Sequence, residues 1–247
     1  METEGLCYKC ESLLLLPLDC GRPPLLNLAL IAHCENTGNI GALAFADRRA
    51  VGSRLVRVHP GYGVCASLGV PNPLHLDWCF KALQKNITPE EALITALNKD
   101  PERAHRQVML IDREGIAAVR TGKKAPFRSR HFVEDHFAAG GTGLRTENGL
   151  DAFVSGYQQT KTSDLPLENR LLAALEEAAF HGVCPKSEPQ SASVLVYGQE
   201  SYPLVDLRVD CSDRPVKELR RLVDQFHDEV GKGRLSFPSR EDFGGAA

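Results

Sequence analysis

The glycine run at positions 140–143, GGTG, is one segment whose residue types could bind a charged group. Small residues in succession can expose backbone N–H groups to a carboxylate or a phosphate. The run has neither the spacing of the dinucleotide-binding GxGxxG nor that of the P-loop GxxxxGK[ST]. No GxSxG or HExxH segment, which would mark a serine hydrolase or a zinc peptidase, occurs in the chain. The short motifs therefore assign no reaction.

A basic stretch precedes this run, between Gly122 and His136, and the sequence predicts a surface loop there. Its cations are Lys123, Lys124, Arg128 and Arg130. Either the loop is simply solvated, or its cations bind a small anion together with the glycine run. His131 and His136 lie in or beside the same stretch, but a spacing of five residues is poor for one helical face and indicates no metal pair.

The eight cysteines are predicted to be mostly free thiols. The N-terminal segment is acidic, and its short apolar run at 13–18 contains Pro17, so it does not resemble a secretory signal. This favours a cytoplasmic location, where thiols stay reduced. Cys7 and Cys10 form a single CxxC without the second pair that a structural zinc site needs, so no metal is predicted.

Composition excludes several classes of protein. The chain has 247 residues, of which 43% are hydrophobic, and this is enough for a sizeable core. Its formal charge of −3 is unfavourable for general binding to nucleic acid. No apolar run approaches the roughly 18 residues that cross a bilayer. We therefore expect a small-molecule substrate or ligand as the partner, and neither nucleic acid nor membrane.

Hydrophobic patterning predicts strands in pairs, with helices between the pairs. The predicted strands are 26–33, 40–46, 54–58, 63–67, 107–111, 116–121, 191–197 and 204–209, and the predicted helices are 76–83, 89–97, 149–159, 167–181 and 215–230. The best-marked helix start is Thr88-Pro89-Glu90-Glu91, which supplies a capping oxygen, a first-turn proline and a capping-box glutamate. This order predicts one α/β domain over 26–230 with mostly antiparallel sheets, an unstructured leader at 1–25 and a flexible tail at 231–247.

Five segments, taken in order, carry a resemblance to a known family. They are LALIAHCENTGNIGALAFADRRAVG (28–52), GYGVCASLGVPNPL (61–74), TPEEALITALNKDPERAHRQVMLID (88–112), QSASVLVYG (190–198) and LVDLRVDCSDRPVKELRRLVD (204–224). Together they resemble the DUF1028 family, whose fold is similar to that of the N-terminal-nucleophile (Ntn) hydrolases. The similarity covers about 27–230. It implies a four-layer αββα sandwich in which two antiparallel sheets pack face to face between helical layers.

The resemblance also implies a small-molecule hydrolase that cleaves an amide or imine C–N bond. In Ntn hydrolases a Thr, Ser or Cys at the start of the first strand attacks the carbonyl, and its own α-amino group, with a pKa near ~8, is the base. Here the aligned position is Asn27, which has no nucleophilic oxygen or sulfur, and an N-terminal segment precedes it. Cys20 would be a terminal nucleophile only if that segment were cleaved behind Asp19.

Other departures from the family pattern fall at positions that are typically polar in it. They are Ala46-Asp47, Leu68, Gly140, Thr142 and the segment 185–189. The remaining catalytic candidates are Asn27, Ser67, Asn72, His75 and Ser191. The ligand-binding candidates are Arg106, Gln107, Gly140, Gly141 and Thr142. Each has a structural alternative, because a serine can bond to backbone, an asparagine can fix a turn, and Arg106-Gln107 can flank a strand.

Three hypotheses follow. The first is a small-molecule hydrolase on an Ntn-like fold whose route need not involve residue 27. The second is a catalytically silent relative that serves as a binding or scaffold protein, which the lost nucleophile favours. The third is a binding module for a small anionic ligand that uses the basic stretch and the glycine run. No cofactor is expected, and sheets of this kind allow a homodimer although no residue specifies one.

Overall fold

The computed structural model describes residues 25–184 and 190–236. The predicted leader up to residue 24, with Cys7, Cys10 and Cys20, the segment 185–189 and the tail from 237 lie outside the described residues. The strands are β1 (Asn27–His33), β2 (Ile40–Ala46), β3 (Val56–His59), β4 (Gly63–Gly69), β5 (Arg106–Asp112), β6 (Ala117–Thr121), β7 (Arg130–Glu134), β8 (Phe137–Thr142), β9 (Gln190–Tyr197) and β10 (Pro203–Ser212). The helices are α1 (Gly52–Leu55), α2 (Leu74–Leu83), α3 (Pro89–Leu97), α4 (Gly149–Gln158), α5 (Leu167–Phe180) and α6 (Pro215–Gly231).

Two antiparallel sheets form the centre of the molecule. The wider sheet has six strands in the order β10-β9-β2-β1-β8-β7, and the narrower sheet has four in the order β3-β4-β5-β6. The two sheets face each other across a core of mostly small and β-branched side chains. The two antiparallel sheets packed face to face, which form the centre of the predicted αββα sandwich, are therefore confirmed.

Strand β1 lies inside the wider sheet and is buried on both faces. Leu28 and Leu30 belong to the core under the helices, whereas Ala29 and Ile31 belong to the core between the sheets. The sequence of a strand that is buried on both faces is a continuous apolar run, not an alternation of apolar and polar residues. This explains why the segment from residue 27 onward is recognisable from its sequence alone.

Helices cover the outer face of each sheet. Helices α4, α5 and α6 pack on the wider sheet, and α2 and α3 pack on the narrower one. The predicted start of α3 is confirmed as a capping box. The Oγ1 of Thr88 accepts a hydrogen bond from the Glu91 N–H at 3.3 Å, and the Glu91 carboxylate accepts one from the Thr88 N–H at 3.0 Å. None of the helices in the described ranges is long and apolar enough to span a membrane.

The sequence prediction was wrong about the region that precedes α4. The stretch from Gly122 to His136 is not a loop throughout, because Arg130–Glu134 forms strand β7. The glycine run was expected in a loop, but its first three residues form the end of β8. Strand β7 is polar and lies at a sheet edge, and glycines are depleted in strands, so neither segment has the usual strand signature. The short helix α1 was also missed.

The start of β4 depends on a glycine. Gly63 has a φ of +142°, and a Cβ built there would overlap the carbonyl oxygen of Ile111 on β5. Only glycine combines this backbone conformation with so close an approach of the neighbouring strand.

We predict that Gly63→Ala lowers the free energy of unfolding by more than about 1 kcal/mol, because both strain and overlap oppose the methyl group. Gly231→Ala is the matched control, since that glycine lies in a helix with open space around it. Urea denaturation of both variants checks this. An unfolding midpoint of Gly63→Ala equal to that of Gly231→Ala would contradict the prediction.

Candidate functional site

Position 27, where the Ntn resemblance places a nucleophile, carries a buried carboxamide. Asn27 begins β1 and pairs with Ala46 of β2 and with Thr142 of β8. Its side chain is on the face of β1 that points to the second sheet, and the residue is 4% exposed. The Nδ2 donates to Thr142 Oγ1 at 3.2 Å and to the Leu25 carbonyl at 3.4 Å. Asn27 thus joins two central strands by a hydrogen bond between side chains.

Two further polar side chains bind the chain segments next to Asn27 at this end of the wider sheet. Ser191 Oγ donates to the Arg48 carbonyl at 2.5 Å and accepts from the Val51 N–H at 3.2 Å. Both contacts hold the segment that connects β2 to α1, so the hydroxyl is used on its donor and its acceptor side. Asp47 Oδ2 accepts from the Leu26 N–H and from Arg145 Nη2, each at 3.1 Å. The carboxylate of Asp47 therefore fixes the entry into β1.

Two of the ligand-binding candidates, Gln107 of β5 and Gly140 of β8, face each other between the sheets. Gln107 Nε2 donates to Thr121 Oγ1 at 2.9 Å and to the Arg130 carbonyl at 3.1 Å. A Cβ at Gly140 would lie 2.5 Å from Gln107 Oε1 and 2.7 Å from Met109 Sδ, so the close approach of the sheets requires glycine here. Residues 140–142 are buried and pair with β1, and Gly140 and Gly141 also pair with β7. The expectation that they expose N–H groups from a loop is wrong, and their binding role stays a prediction.

Three catalytic candidates join a carboxylate that sequence reasoning missed. Ser67 Oγ lies 3.4 Å from His75 Nδ1, and His75 Nε2 lies 2.9 Å from Asp100 Oδ2. Asp100 also accepts from Arg106 Nε at 2.7 Å and from Asn72 Nδ2 at 3.4 Å. We call these five residues the Asp100 network. It ties the β4–α2 connection to the segment that follows α3.

Within the Asp100 network the pKa values of the Asp100 carboxyl and of the His75 imidazole are both lowered, which favours the ionised carboxylate and the neutral imidazole. Burial alone would raise the pKa of Asp100, but hydrogen bonds from Arg106 and from the Glu102 N–H outweigh it and lower the pKa to about 2. Burial lowers the pKa of His75 from its ordinary value, against the attraction of Asp100. The carboxylate is therefore charged at neutral pH, and the lowered pKa of His75 favours the neutral imidazole.

The order Ser–His–Asp is also the order of a nucleophile, its base and the group that orients the base. Ser67 and His75 are fully buried on the side of the narrower sheet that faces α2 and α3, and Asp100 is 3% exposed. Ser67 Oγ already accepts from the Asn72 N–H at 3.2 Å. In this conformation a substrate has no access to the Ser67 hydroxyl.

Two cations of the predicted basic stretch donate hydrogen bonds to the protein's own backbone. Arg128 donates to the Arg145 carbonyl at 2.7 Å, and Arg130 donates to the Glu147 carbonyl at 2.6 Å. These guanidinium groups hold the loop between β8 and α4. Lys123 and Lys124 are exposed. Two of the four proposed anion-binding cations thus have a structural role.

The histidines do not form a metal centre with other donors in the parts of the chain that the structure describes. His131 Nδ1 lies 2.9 Å from Thr121 Oγ1, and His136 Nδ1 lies 3.0 Å from His33 Nδ1. Within 25–184 and 190–236 there is no group of three or more His, Cys, Asp or Glu side chains that could hold a metal ion.

A cavity of about 240 Å³ opens at the edge of the sandwich, between the two sheets. We call it the edge cleft; its lining residues belong to α1, β3, β9 and β10. The side chains that matter for binding are Ser193, Asp206 and Arg208, beside an apolar wall that includes Val56 and Leu195. Sequence reasoning did not find this cleft, because residues from four elements line it and no motif links them.

The Asp100 network leads to a prediction about acid stability. A carboxyl whose pKa is lowered by folding stabilises the protein above its unfolded pKa of 3.8, and this stabilisation is lost as the pH falls toward 2. We expect Asp100→Asn to lower the unfolding free energy at pH 7 by about 2 kcal/mol, with a smaller difference from wild type at pH 3. Urea denaturation at pH 7, 5 and 3 measures this.

Asp213→Asn is the control for that series, since the Asp213 side chain is 76% exposed and its loss should change little. A difference between Asp100→Asn and wild type that is the same at pH 7 and pH 3 would contradict the assigned role of the carboxylate.

Comparison with known structures gives one similarity over most of the chain. The crystal structure of protein SPO2555 from Silicibacter pomeroyi, described as a DUF1028 protein, has a TM-score of 0.72 and 30% sequence identity. The match covers 81% of this chain and 88% of that one. Comparison with curated proteins finds no significant match.

Two more distant likenesses are to Anbu proteins. Anbu (ancestral beta-subunit) from Yersinia bercovieri has a TM-score of 0.41 and 13% identity, over 86% of this chain and 99% of that one. The helical assembly of the Anbu complex from Pseudomonas aeruginosa has a TM-score of 0.40 and 16% identity, over 86% and 98%. At these values the likeness assigns neither an activity nor an assembly to this chain.

The family itself is given by the sequence. The model of DUF1028, described as a family of unknown function, matches residues 28–219, which span both sheets and reach into α6. This range begins one residue after Asn27 and contains four of the five segments that carry the resemblance and most of the fifth. The chain therefore belongs to the DUF1028 family.

Proposed function

We propose that this protein is a catalytically silent member of its family that binds a small molecule with an anionic group. The observation that carries the proposal is the state of position 27. An Ntn reaction needs a hydroxyl or thiol there, together with a free α-amine. Asn27 offers a carboxamide whose nitrogen is not nucleophilic and already donates to Thr142.

The neighbouring hydroxyl groups do not replace the missing nucleophile. Thr142 is fully buried and accepts the hydrogen bond from Asn27, and Ser191 is 1% exposed with its hydroxyl bonded on both sides. A nucleophile must have a base within hydrogen-bonding reach and must contact the substrate. Within the described ranges neither hydroxyl contacts such a base, and the close packing of the sheets leaves both of them covered.

The edge cleft supports the binding part of the proposal. Its volume of about 240 Å³ suits a ligand of a few carbon atoms, and an arginine side chain, Arg208, lines it. A guanidinium group binds carboxylates through paired hydrogen bonds.

A second candidate function is hydrolysis of an amide or imine C–N bond through Ser67. The Ser67–His75–Asp100 order favours it, since His75 could take the hydroxyl proton while Asp100 holds the imidazole. This function requires that the β4–α2 connection opens, because the hydroxyl is fully buried as the structure stands.

The cytoplasmic location and the choice of partners belong to the same proposal. The described cysteines are all free thiols, including Cys65 and Cys79, which interact in the core. Free thiols are typical of a reducing compartment. A small-molecule partner, with neither nucleic acid nor a membrane, and a homodimer remain predictions.

The proposed function predicts that the full-length protein turns over neither p-nitroanilide amides nor a cyclic imine above the rate of a heat-denatured sample. A β-lactone probe, which acylates nucleophilic hydroxyl and thiol groups, should leave no adduct on a serine or threonine hydroxyl of the fold that peptide mass spectrometry can map. Asn27→Ala should behave identically, with circular dichroism confirming that it is folded.

The two candidate functions give different results in this experiment. A probe adduct on Ser67 that disappears in Ser67→Ala would replace the silent function with the second candidate. Turnover that Asn27→Ala abolishes while the fold is intact would give the carboxamide a part in the reaction and end the proposal.

A further inference from the structure

The edge cleft exists because the two sheets differ in width. The narrower sheet ends at β3, while the wider one continues through β9 to β10. On β10 the side chains of Val205 and Val209 pack in the core with α6, so the alternate positions, Asp206 and Arg208, point to the opposite face. There they line the cleft instead of meeting another sheet.

A hydroxyl without a partner lies at the bottom of the cleft. Ser193 is 2% exposed, and its Oγ makes no hydrogen bond to any residue that the structure describes. It pairs across the strands with Arg208, and a Cβ on Gly52 would come within 2.9 Å of its oxygen. Buried hydroxyl groups without a partner are rare in folded proteins. Glycine at position 52 leaves the space beside this hydroxyl free of a side chain.

The charges of the cleft are separated along β10. Arg208 is 43% exposed, and the carboxylate nearest to it, that of Asp210, is 3.8 Å away. Asp206 faces the far end beside Tyr197; burial raises the pKa of the Tyr197 hydroxyl, and the charge of Asp206 raises it further. The guanidinium of Arg57, which also borders the cleft, is bound to Asp77. Arg208, whose ion pair with Asp210 is long, and Asp206 therefore supply one cation and one anion to the lining of the cleft.

We propose that the edge cleft binds a linear amino carboxylate. Its carboxylate contacts the Arg208 guanidinium and the Ser193 hydroxyl, and its ammonium group contacts the Asp206 carboxylate. Residues two apart on a strand are separated by about 7 Å, which matches a chain of four or five carbon atoms between the charged groups. Val56, Val58 and Leu195 contact the methylene groups. This inference rests on the binding function proposed above, but not on catalytic silence.

The arrangement of charges in the edge cleft also disfavours small molecules that carry only one kind of charge. A dicarboxylate places its second carboxylate beside Asp206, where like charges repel. A monocarboxylate without an amine leaves Asp206 without a counter-ion, and an alkyl amine leaves Arg208 and Ser193 unused. A site that contacts both ends of the ligand therefore prefers the zwitterion over each of these.

Isothermal titration calorimetry of the full-length protein with 5-aminopentanoate tests the proposal. Pentanoate, pentylamine and glutarate are the comparison probes. We expect 5-aminopentanoate to bind at least about tenfold more tightly than each of them, because each lacks or inverts one charged contact. Equal affinity for all four probes, or no heat with 5-aminopentanoate at millimolar concentration, would overturn the proposal.

Charge-removing variants locate the binding. Arg208→Gln and Asp206→Asn should each weaken 5-aminopentanoate binding about tenfold or more, and Ser193→Ala should weaken it less. Arg221→Gln, on the exposed side of α6, is the matched control and should leave the affinity unchanged. Equal affinity in Arg208→Gln and Arg221→Gln would refute the site. Because amide turnover is measured separately, failure of the silent function and failure of the cleft are distinguishable.

Discussion

The close approach of the two sheets is the constraint on which the rest of the structure depends. Small side chains on the facing surfaces, such as Ala29, Ala42 and Ala44, allow the sheets to pack with few voids. Gly140 marks the closest point, because a single added carbon there would meet Gln107 and Met109. The amide of Gln107 in turn links β5 to β6 and β7. Packing between the sheets and the polar contacts across them therefore depend on each other.

The same constraint decides where a small molecule can enter. Beneath Asn27 the sheets are fully packed, and the carboxamide satisfies the hydroxyl opposite it. The edge cleft lies where the narrower sheet ends at β3, opposite β9 and β10 of the wider sheet. The buried carboxamide at the start of β1 and the cleft at the sandwich edge are thus two separate features of one packing arrangement. The fold keeps its core regardless of what the edge binds.

Most of the fold was predictable from the sequence, because central strands and amphipathic helices have strong local patterns. The continuous apolar run of β1 and the capping box at Thr88 are examples, and both are confirmed. Strand β7 was missed because its polar edge position leaves no apolar signature. The candidate site was less accessible to sequence reasoning. Asp100 is recognisable as part of a site only from its contacts with His75 and Arg106, which no sequence pattern links to it. The edge cleft is lined by residues from four elements, so no local sequence pattern marks it.

The unequal width of the sheets also has an evolutionary consequence. Side chains on the inner face of β10 contact solvent and the cleft but no second sheet, so they can be exchanged without creating a void or an overlap in the core. Asp206 and Arg208 can therefore diverge between relatives while the paired strands around β1 stay the same. If the proposed site binds a ligand, relatives with other residues at these two positions would bind chemically different ligands on a common framework.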